Sequence, residues 1–308
     1  MEDVDPPPSF SEYISGLFSP AVLLAWSFKP FTSAYYAIVV TETIFRRGQI
    51  LAPIVRSSQV RDEAFGRFWI EFAGPQDVTI NDEGVLDTSK LRASGALIPP
   101  LLKKARGVVL DIGPGTGTQM PFFIEPAAKN ISAIYGPEPC VGLHGELRKR
   151  IIAHGLQSKY HILSAGAEKQ QLVEALQREG VQVHDGEGIF DTIVCIRVLC
   201  SVPDPEQTIA GLYSLLRPAG QMIIVEHVVN PYSLCGGKGG DFFAKVMQSV
   251  YMALGWGYWV GDCHLNRDTE TYLRKAAEKD GGWKSFELER RFAKTTLPYI
   301  SGILTKKD

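Results

Sequence analysis

The stretch Gly107-Val-Val-Leu-Asp-Ile-Gly-Pro-Gly-Thr-Gly-Thr-Gln119 constrains this chain more than any other. An apolar run, Val108 to Leu110, leads straight into Asp111 and then into glycines at 113, 115 and 117. Alternate glycines let a backbone turn tightly and approach a ligand without interference from a Cβ. The spacing is GxGxG. It is not the GxGxxG of dinucleotide enzymes, and it lacks the Lys-Ser/Thr that completes a P-loop. A strand running into a ligand loop at a sheet edge is the expected outcome, and it needs partners downstream.

Those partners follow in rhythm. Ile131 to Tyr135 reads as a second strand ending in Gly136-Pro137-Glu138-Pro139, which places an acid where it suits a ribose diol. Tyr160 to Ser164 reads as a third strand, leading to Ala165-Gly166-Ala167-Glu168. Thr192 to Val198 is a continuous apolar run, the kind buried on both faces of a parallel sheet. Asp204-Pro205 predicts a capped helix with Ile209, Leu212, Tyr213 and Leu216 inward. Arg217-Pro218-Ala219-Gly220 then predicts a turn into a strand over Gln221 to Val229. Alternation of this length argues for a doubly wound α/β fold whose ligands bind beyond the carboxyl ends of the strands. Glu226, His227, Cys200 and Ser201 all fall at that edge.

Residues 1–106 read as an N-terminal helical extension and residues 107–308 as the sheet domain, a division that 308 residues allow. The longest uncharged run, Tyr13 to Phe28, contains Gly16 and Pro20 and is ended by Lys29-Pro30; a second run goes from Pro30 to Thr41. A membrane-crossing helix needs about 20 uninterrupted apolar residues, so a span is not expected. Two readings remain: helices roofing the sheet domain, or a membrane-surface hairpin with Trp26, Tyr35 and Tyr36 at the interface and Arg46 and Arg47 nearby. Further on, Val60, Ala64, Phe65, Phe68, Trp69 and Phe72 share one helical stripe. Asn81 to Thr88 reads as a loop, with Asp87 or Thr88 capping a helix that ends near Arg106 and is kinked at Pro99-Pro100.

Composition narrows the function classes. With 32 Lys+Arg against 34 Asp+Glu the net charge is −2, so the basic surplus that draws nucleic acid is missing. The five cysteines are odd in number, scattered and never spaced CxxC, which argues against a disulfide framework and against a thiolate zinc site and favours a reducing compartment. No metal ligands are therefore expected. Residues 1–12 are acidic and Pro-rich, unlike the basic start of a signal peptide, so the cytosolic side is expected, with membrane association on that face left open.

The series VLDIGPGTG, IYGPEP and FDTIVCIRVLCSVPDPEQTIAGLYSLLRPAGQMIIVEHV resembles class I S-adenosylmethionine-dependent methyltransferases. Within them it is similar to the methyltransferase-like thiol methyltransferases of animal endoplasmic reticulum and lipid droplets and to their fungal relatives. The likeness runs from FGRFW through GDCHLNRDT to PYISGILTK, roughly residues 60 to 308. It implies a seven-stranded, mostly parallel sheet and S-adenosylmethionine as cofactor, released as S-adenosylhomocysteine. It further implies that Asp111, Gly113, Gly115 and Gly117 form the cofactor loop, and that Glu138, followed by Pro139, holds the ribose. Ala167 and Glu168 would lie near the adenine, and Ile196 and Arg197 beside the sulfonium. Two departures stand out. Gly166 takes the place of an adenine-contacting Asp, and Gly261-Asp262-Cys263 replaces the family's Asp-Gly-Cys.

Methyl transfer from a sulfonium needs chiefly an in-line acceptor in a site that excludes water. A thiol ionises near pH 8.5 and needs little help, whereas a hydroxyl needs a placed base. The base candidates are His227, at the end of its strand, and His264, after Asp262-Cys263. The glycine-rich Cys235 to Gly240 and the apolar residues Phe242, Phe243, Val246, Met247, Val250, Tyr251 and Leu254, with Trp256, Tyr258 and Trp259, read as sheet cover or as a lid. The expected activity is methylation of sulfur or oxygen on a small lipophilic molecule, in secondary metabolism or thiol detoxification. The alternatives are a cofactor-assisted rearrangement or cyclisation and a non-catalytic cofactor-binding partner. A nucleic-acid methyltransferase is disfavoured, because Ile196-Arg197-Val198-Leu199 stands where such enzymes carry an (N/D/S)PP(Y/F) loop.

Overall fold

The apolar runs assemble into one seven-stranded sheet in the computed structural model, which describes residues 4–36, 65–72, 78–80, 86–124, 127–184, 186–233 and 239–308. In chain order the elements are helix α1 (Phe10–Tyr36), α2 (residues 65–72), the short strands β1 (Thr79–Ile80) and β2 (Leu86–Asp87), and α3 (Ile98–Leu102). Then come β3 (Gly107–Ile112), β4 (Ile131–Pro137), α4 (His144–Ala153), β5 (Tyr160–Leu163), α5 (Lys169–Arg178), β6 (Phe190–Ile196), α6 (Pro205–Leu215) and β7 (Leu216–His227). The chain closes with α7 (Phe242–Ala253), α8 (Trp256–Trp259), α9 (Thr269–Ala276), β8 (Ser285–Arg291) and β9 (Tyr299–Thr305).

The strand order is β5-β4-β3-β6-β7-β9-β8. The pairs from β5 to β7 are parallel, and β9 lies antiparallel between β7 and β8. From β3 the chain steps outward through β4 and β5, then returns to the other side of β3 with β6 and β7. That reversal puts a topological switch point at the carboxyl ends of β3 and β6, where doubly wound sheets bind ligands. Alternate residues of the central strands feed opposite faces: Leu110, Ile193 and Ile224 pack into one core, and Val109, Val194 and Ile223 into the other. Burial on both sides is why these strands are unbroken apolar runs.

Local signals place the helices around this sheet. Asp204 Oδ1 accepts the Gln207 N–H at 3.0 Å, with Pro205 at the first position of α6, where a missing donor costs nothing. The expected turn at Arg217 to Gly220 is instead a bulge within β7. Its register passes from Phe190↔Leu216 to Thr192↔Gln221, and Ala219 absorbs the slack at φ 55°. Strand β6 stops at Ile196 rather than Val198, because Arg197 turns at φ 55°. Asp87 lies in β2 and accepts the Ser89 N–H at 2.9 Å, closing a turn and not capping a helix. Pro99 and Pro100 sit in the first turn of the five-residue α3, so they start that helix instead of kinking a longer one.

Helix α1 runs unbroken through Gly16, Pro20 and Pro30, the positions expected to divide it. A proline leaves the carbonyl four residues back without its donor. For Pro20 that carbonyl is Gly16's, and Thr296 supplies the donors from outside, its hydroxyl at 2.7 Å and its N–H at 3.3 Å. The Tyr251 hydroxyl donates to the Leu17 carbonyl at 3.2 Å, tying α1 to α7. Among the described residues no helix is long and apolar enough to cross a membrane. Val60, Ala64, Arg46 and Arg47, invoked above, lie outside the described residues, as does Cys235.

Helix α7 departs from the expected cover. Its inward face is Ala244, Gln248 and Tyr251, while Phe242, Phe243, Val246 and Val250 are exposed. The Gln248 amide explains the choice. Its two Nε2 hydrogens are shared among the carbonyls of Val228, Leu265 and Thr296, 3.0 to 3.1 Å away, and its Oε1 accepts the Asn230 N–H. A buried side chain with all these bonds satisfied fixes which way the helix faces.

Candidate functional site

At the carboxyl end of β3 the backbone of the glycine loop is wound through positive φ at Gly113 (57°), Gly115 (59°) and Gly117 (81°). Side chains crowd all three positions closely. A Cβ on Gly113 would lie 2.5 Å from Val198 Cγ2, and one on Gly115 would lie 2.7 Å from Trp69 Nε1. Glu138, 5% exposed at the end of β4, accepts the Gly115 N–H on Oε2 and the Cys140 N–H on Oε1, both at 2.8 Å. Burial pushes its carboxyl upward, and the two N–H donors resist that rise. Beneath the loop Asp111 is fully buried, accepting from the Tyr160 hydroxyl at 2.7 Å and from the Gln119 amide at 3.1 Å. Burial pushes its carboxyl up to about 7 in spite of those bonds.

The neighbouring edge, at the ends of β6 and β7, is built from side chains. Glu226, fully buried at the end of β7, accepts the Val198 N–H at 2.9 Å and the Leu199 N–H at 3.0 Å on one oxygen, pinning the turn after β6. Arg267 Nη1 donates to the Leu199 carbonyl at 2.6 Å and holds the same turn from the other side. His227 is buried, with Nε2 3.2 Å from Cys263 Sγ. Cys200 closes the group: the ligating atoms of Cys200, His227 and Cys263 all lie within 4.8 Å of one another. A hydrogen bond from Cys263, together with burial, drives the Cys200 thiol well above its ordinary value. The His264 N–H donates to the Cys200 carbonyl at 2.9 Å, which stitches the Cys263 segment to the turn.

Apolar side chains roof this edge. Phe68 of α2, Tyr251 of α7, Trp256 of α8 and Val260 pack with Cys200 and Cys263, and Leu24 of α1 and Trp69 lie against them. The result is a water-poor region next to the turn at 197–199.

The structure thus brings Gly115 and Glu138 into direct contact and sets Asp111 below them, while Ile196 and Arg197 begin the adjoining turn. Ala167 is buried and Glu168 half-buried at the start of α5, with Gln171 Oε1 accepting the Gly166 N–H at 3.0 Å where the family's acid is absent. Pro139 is exposed beside Glu138. His227 reaches Cys263, whereas His264 joins the group through its backbone; burial and Arg267 lower its imidazole's affinity for a proton. Asp262 is exposed at φ 56°. Sequence spacing gave no sign of a metal-ligand set, yet Cys200, His227 and Cys263 converge from three separate stretches. Trp69 over Gly115 was legible only as an apolar helix position, and Gln119 and Tyr160 below Asp111 carried no signal.

A nucleoside cofactor with a sulfonium fits these residues. The wound glycine loop offers backbone where any Cβ would clash, the Thr116 hydroxyl is buried in that loop without a partner, and the Glu138 carboxylate keeps acceptor capacity beyond its two bonds. Glu138 and the loop would hold it, and it would supply the methyl group.

Comparison with known proteins agrees. A family model described as a methyltransferase domain matches residues 86–282. The human thiol S-methyltransferase TMT1B is 28% identical over 171 residues, covering 54% of this chain and 58% of that protein; the rat protein of the same name is 25% identical over 169 residues, with the same coverage. The chain therefore spans somewhat over half the length of these relatives. An O-methyltransferase family protein from Burkholderia thailandensis superposes with a TM-score of 0.46 at 12% identity, covering 96% of this chain and 72% of that one. Strand order, ligand loop and a family model matching most of the chain lead to one conclusion: the protein belongs to the methyltransferase domain family, whose cofactor is S-adenosylmethionine.

Proposed function

We propose that the protein transfers a methyl group from S-adenosylmethionine to the sulfur of a small lipophilic thiol. The observation that carries this reading is the apolar roof over the turn at 197–199, combined with the engagement of His227 by Cys263. An acceptor admitted there meets hydrocarbon, and His227 is held through Nε2 by Cys263, conditions that suit a thiol more than a hydroxyl. The similarity to proteins named thiol S-methyltransferases supports the same choice. In this reading the loop from Gly113 to Gly117 and Glu138 hold the cofactor, Ala167 and Glu168 flank its base, and Ile196 and Arg197 lie beside its sulfonium.

The surface supports a reading of location as well. Helix α1 packs on α7 and α8, and the two longer helices turn Phe18, Val22, Trp26, Phe242 and Phe243 to solvent. These apolar side chains suit a peripheral contact with a membrane on the cytosolic side, from which a lipophilic acceptor would enter. Flotation with phosphatidylcholine vesicles tests this; a chain that stays at the bottom of the gradient refutes it.

The activity is tested by a turnover screen with lipophilic thiols, phenols and carboxylic acids, reading S-adenosylhomocysteine release and product mass. Thiols gaining one methyl group are expected. Phenols alone gaining it would move the reading to oxygen, a product of unchanged mass would indicate rearrangement, and no turnover would leave a binding protein.

A further inference from the structure

We propose that Cys200, His227 and Cys263 form a three-ligand zinc site whose open fourth position receives the acceptor sulfur; the second half of this statement rests on the thiol reading above. Three soft or borderline ligands converge here from rigid elements. Their ligating atoms lie within 4.8 Å of one another, and the His227 Nε2 to Cys263 Sγ separation is 3.2 Å. Tetrahedral zinc with Zn–S near 2.3 Å and Zn–N near 2.0 Å separates its ligands by about 3.5 to 3.8 Å, so small side-chain adjustments suffice. A donor set of two sulfurs and an imidazole selects zinc over magnesium or calcium.

The scaffold holds these ligands in place without a metal. Cys200 rides on the turn pinned by Glu226 and Arg267, His227 ends a central strand, and Cys263 is stitched to Cys200 through the His264 N–H. All three ligands are buried, at 3%, 5% and 7% exposure, inside an apolar cluster. His227 Nδ1 has no partner there. Zinc changes that balance: two thiolates and one divalent cation sum to zero charge, so the cluster can be buried as a neutral unit. Three protein ligands with a fourth position open are the mark of a catalytic rather than a structural zinc site.

The chemistry balances. The acceptor R–SH coordinates zinc and releases its proton to solvent. Its sulfur lone pair forms the new bond to the methyl carbon, and the bond from that carbon to the cofactor's sulfonium breaks, with its electron pair staying on the cofactor sulfur. The products are R–S–CH3 and S-adenosylhomocysteine. The thioether, being neutral, is a weaker zinc ligand than the thiolate and departs, while zinc remains divalent throughout.

The test begins with metal analysis of the full chain produced in zinc-supplemented medium: about one zinc per chain is expected, falling to about a tenth or less in Cys263→Ser and His227→Gln. Chelated wild-type protein titrated with cobalt should develop a sulfur-to-cobalt charge-transfer band that Cys200→Ser lacks. This measurement on the wild-type chain decides the matter if a variant fails to fold. Absence of both zinc and the cobalt band overturns the site, and so does zinc retained in all three variants, which marks adventitious binding. Loss of two thiols on air oxidation with no metal bound would make the cysteines a disulfide pair and also overturn it. Chelation is expected to lower thiol turnover by about 100-fold, with cofactor affinity within about twofold. Unchanged turnover overturns the acceptor half while leaving the metal. Bound zinc with methylation confined to phenols refutes the thiol reading, and the acceptor half with it, while sustaining the metal site.

Discussion

Around the carboxyl ends of β3 and β4 the site is a wound glycine backbone and one acid, whereas around β6 and β7 it is side chains set in an apolar enclosure. The first edge depends on what is missing, since any Cβ at Gly113 or Gly115 collides with a neighbour. The second depends on what is present: Glu226 orders a turn and three sulfur or nitrogen atoms meet. Backbone recognition suits a cofactor shared by a whole family. Side-chain recognition suits the acceptor, which is where members of one family part company.

Substitutions can separate the two edges. Gly115→Val should have the largest effect, because a β-branched residue at φ 59° and 2.7 Å from Trp69 Nε1 cannot keep the loop; calorimetry should show cofactor affinity down by about 1000-fold or lost. Retained affinity would mean that the loop is not the cofactor's cradle. Glu226→Ala should cost about 2 to 4 kcal/mol in denaturant unfolding, because two buried N–H groups lose their acceptor, and Glu226→Gln should recover most of it. Equal loss in both variants would show that charge, and not the amide-compatible acceptor, orders the turn.

Glu138→Ala should weaken cofactor binding by about 10- to 150-fold and leave metal content at the other edge untouched. Asp111 sets a pH dependence. Its carboxyl is raised from 3.8 to about 7, so between those values the folded chain keeps a proton that the unfolded chain releases. Its stabilising contribution is therefore full below pH 3.8 and lost as pH rises through about 7, with a slope of at most about 1.4 kcal/mol per pH unit. Asp111→Asn should flatten that slope in unliganded protein, and an unchanged slope would assign it to other groups. Trp69→Ala, which opens the space above Gly115, should lower cofactor affinity by only about three- to tenfold. Unchanged cofactor affinity with a raised acceptor KM would assign Trp69 to the second edge instead.

The first edge was legible in the sequence because its determinants are local: a strand, alternate glycines, and an acid at the end of the next strand. The sheet was legible for the same reason, since strands buried on both faces are written as continuous apolar runs. The second edge was only half legible. His227 and Glu226 mark the end of a strand, but Cys200 and Cys263 approach His227 through the sheet order and the packing of the segment after α8, which no spacing rule encodes. Helix α7 misled for a related reason: its apolar residues suggested the buried face, but one amide, Gln248, with partners on three other segments, overrides that pattern. In α1 the prolines pointed to breaks, whereas tertiary donors carry the helix past Pro20.

Pro20 has a consequence for where α1 sits. By leaving the Gly16 carbonyl to Thr296, it works as an indexing notch: α1 can engage the segment before β9 at one axial position, and a slip of a single turn, about 5.4 Å, would forfeit both bonds. That position decides which α1 side chains pack against the cluster that holds Cys200 and Cys263. A residue outside the cluster thereby fixes what covers it.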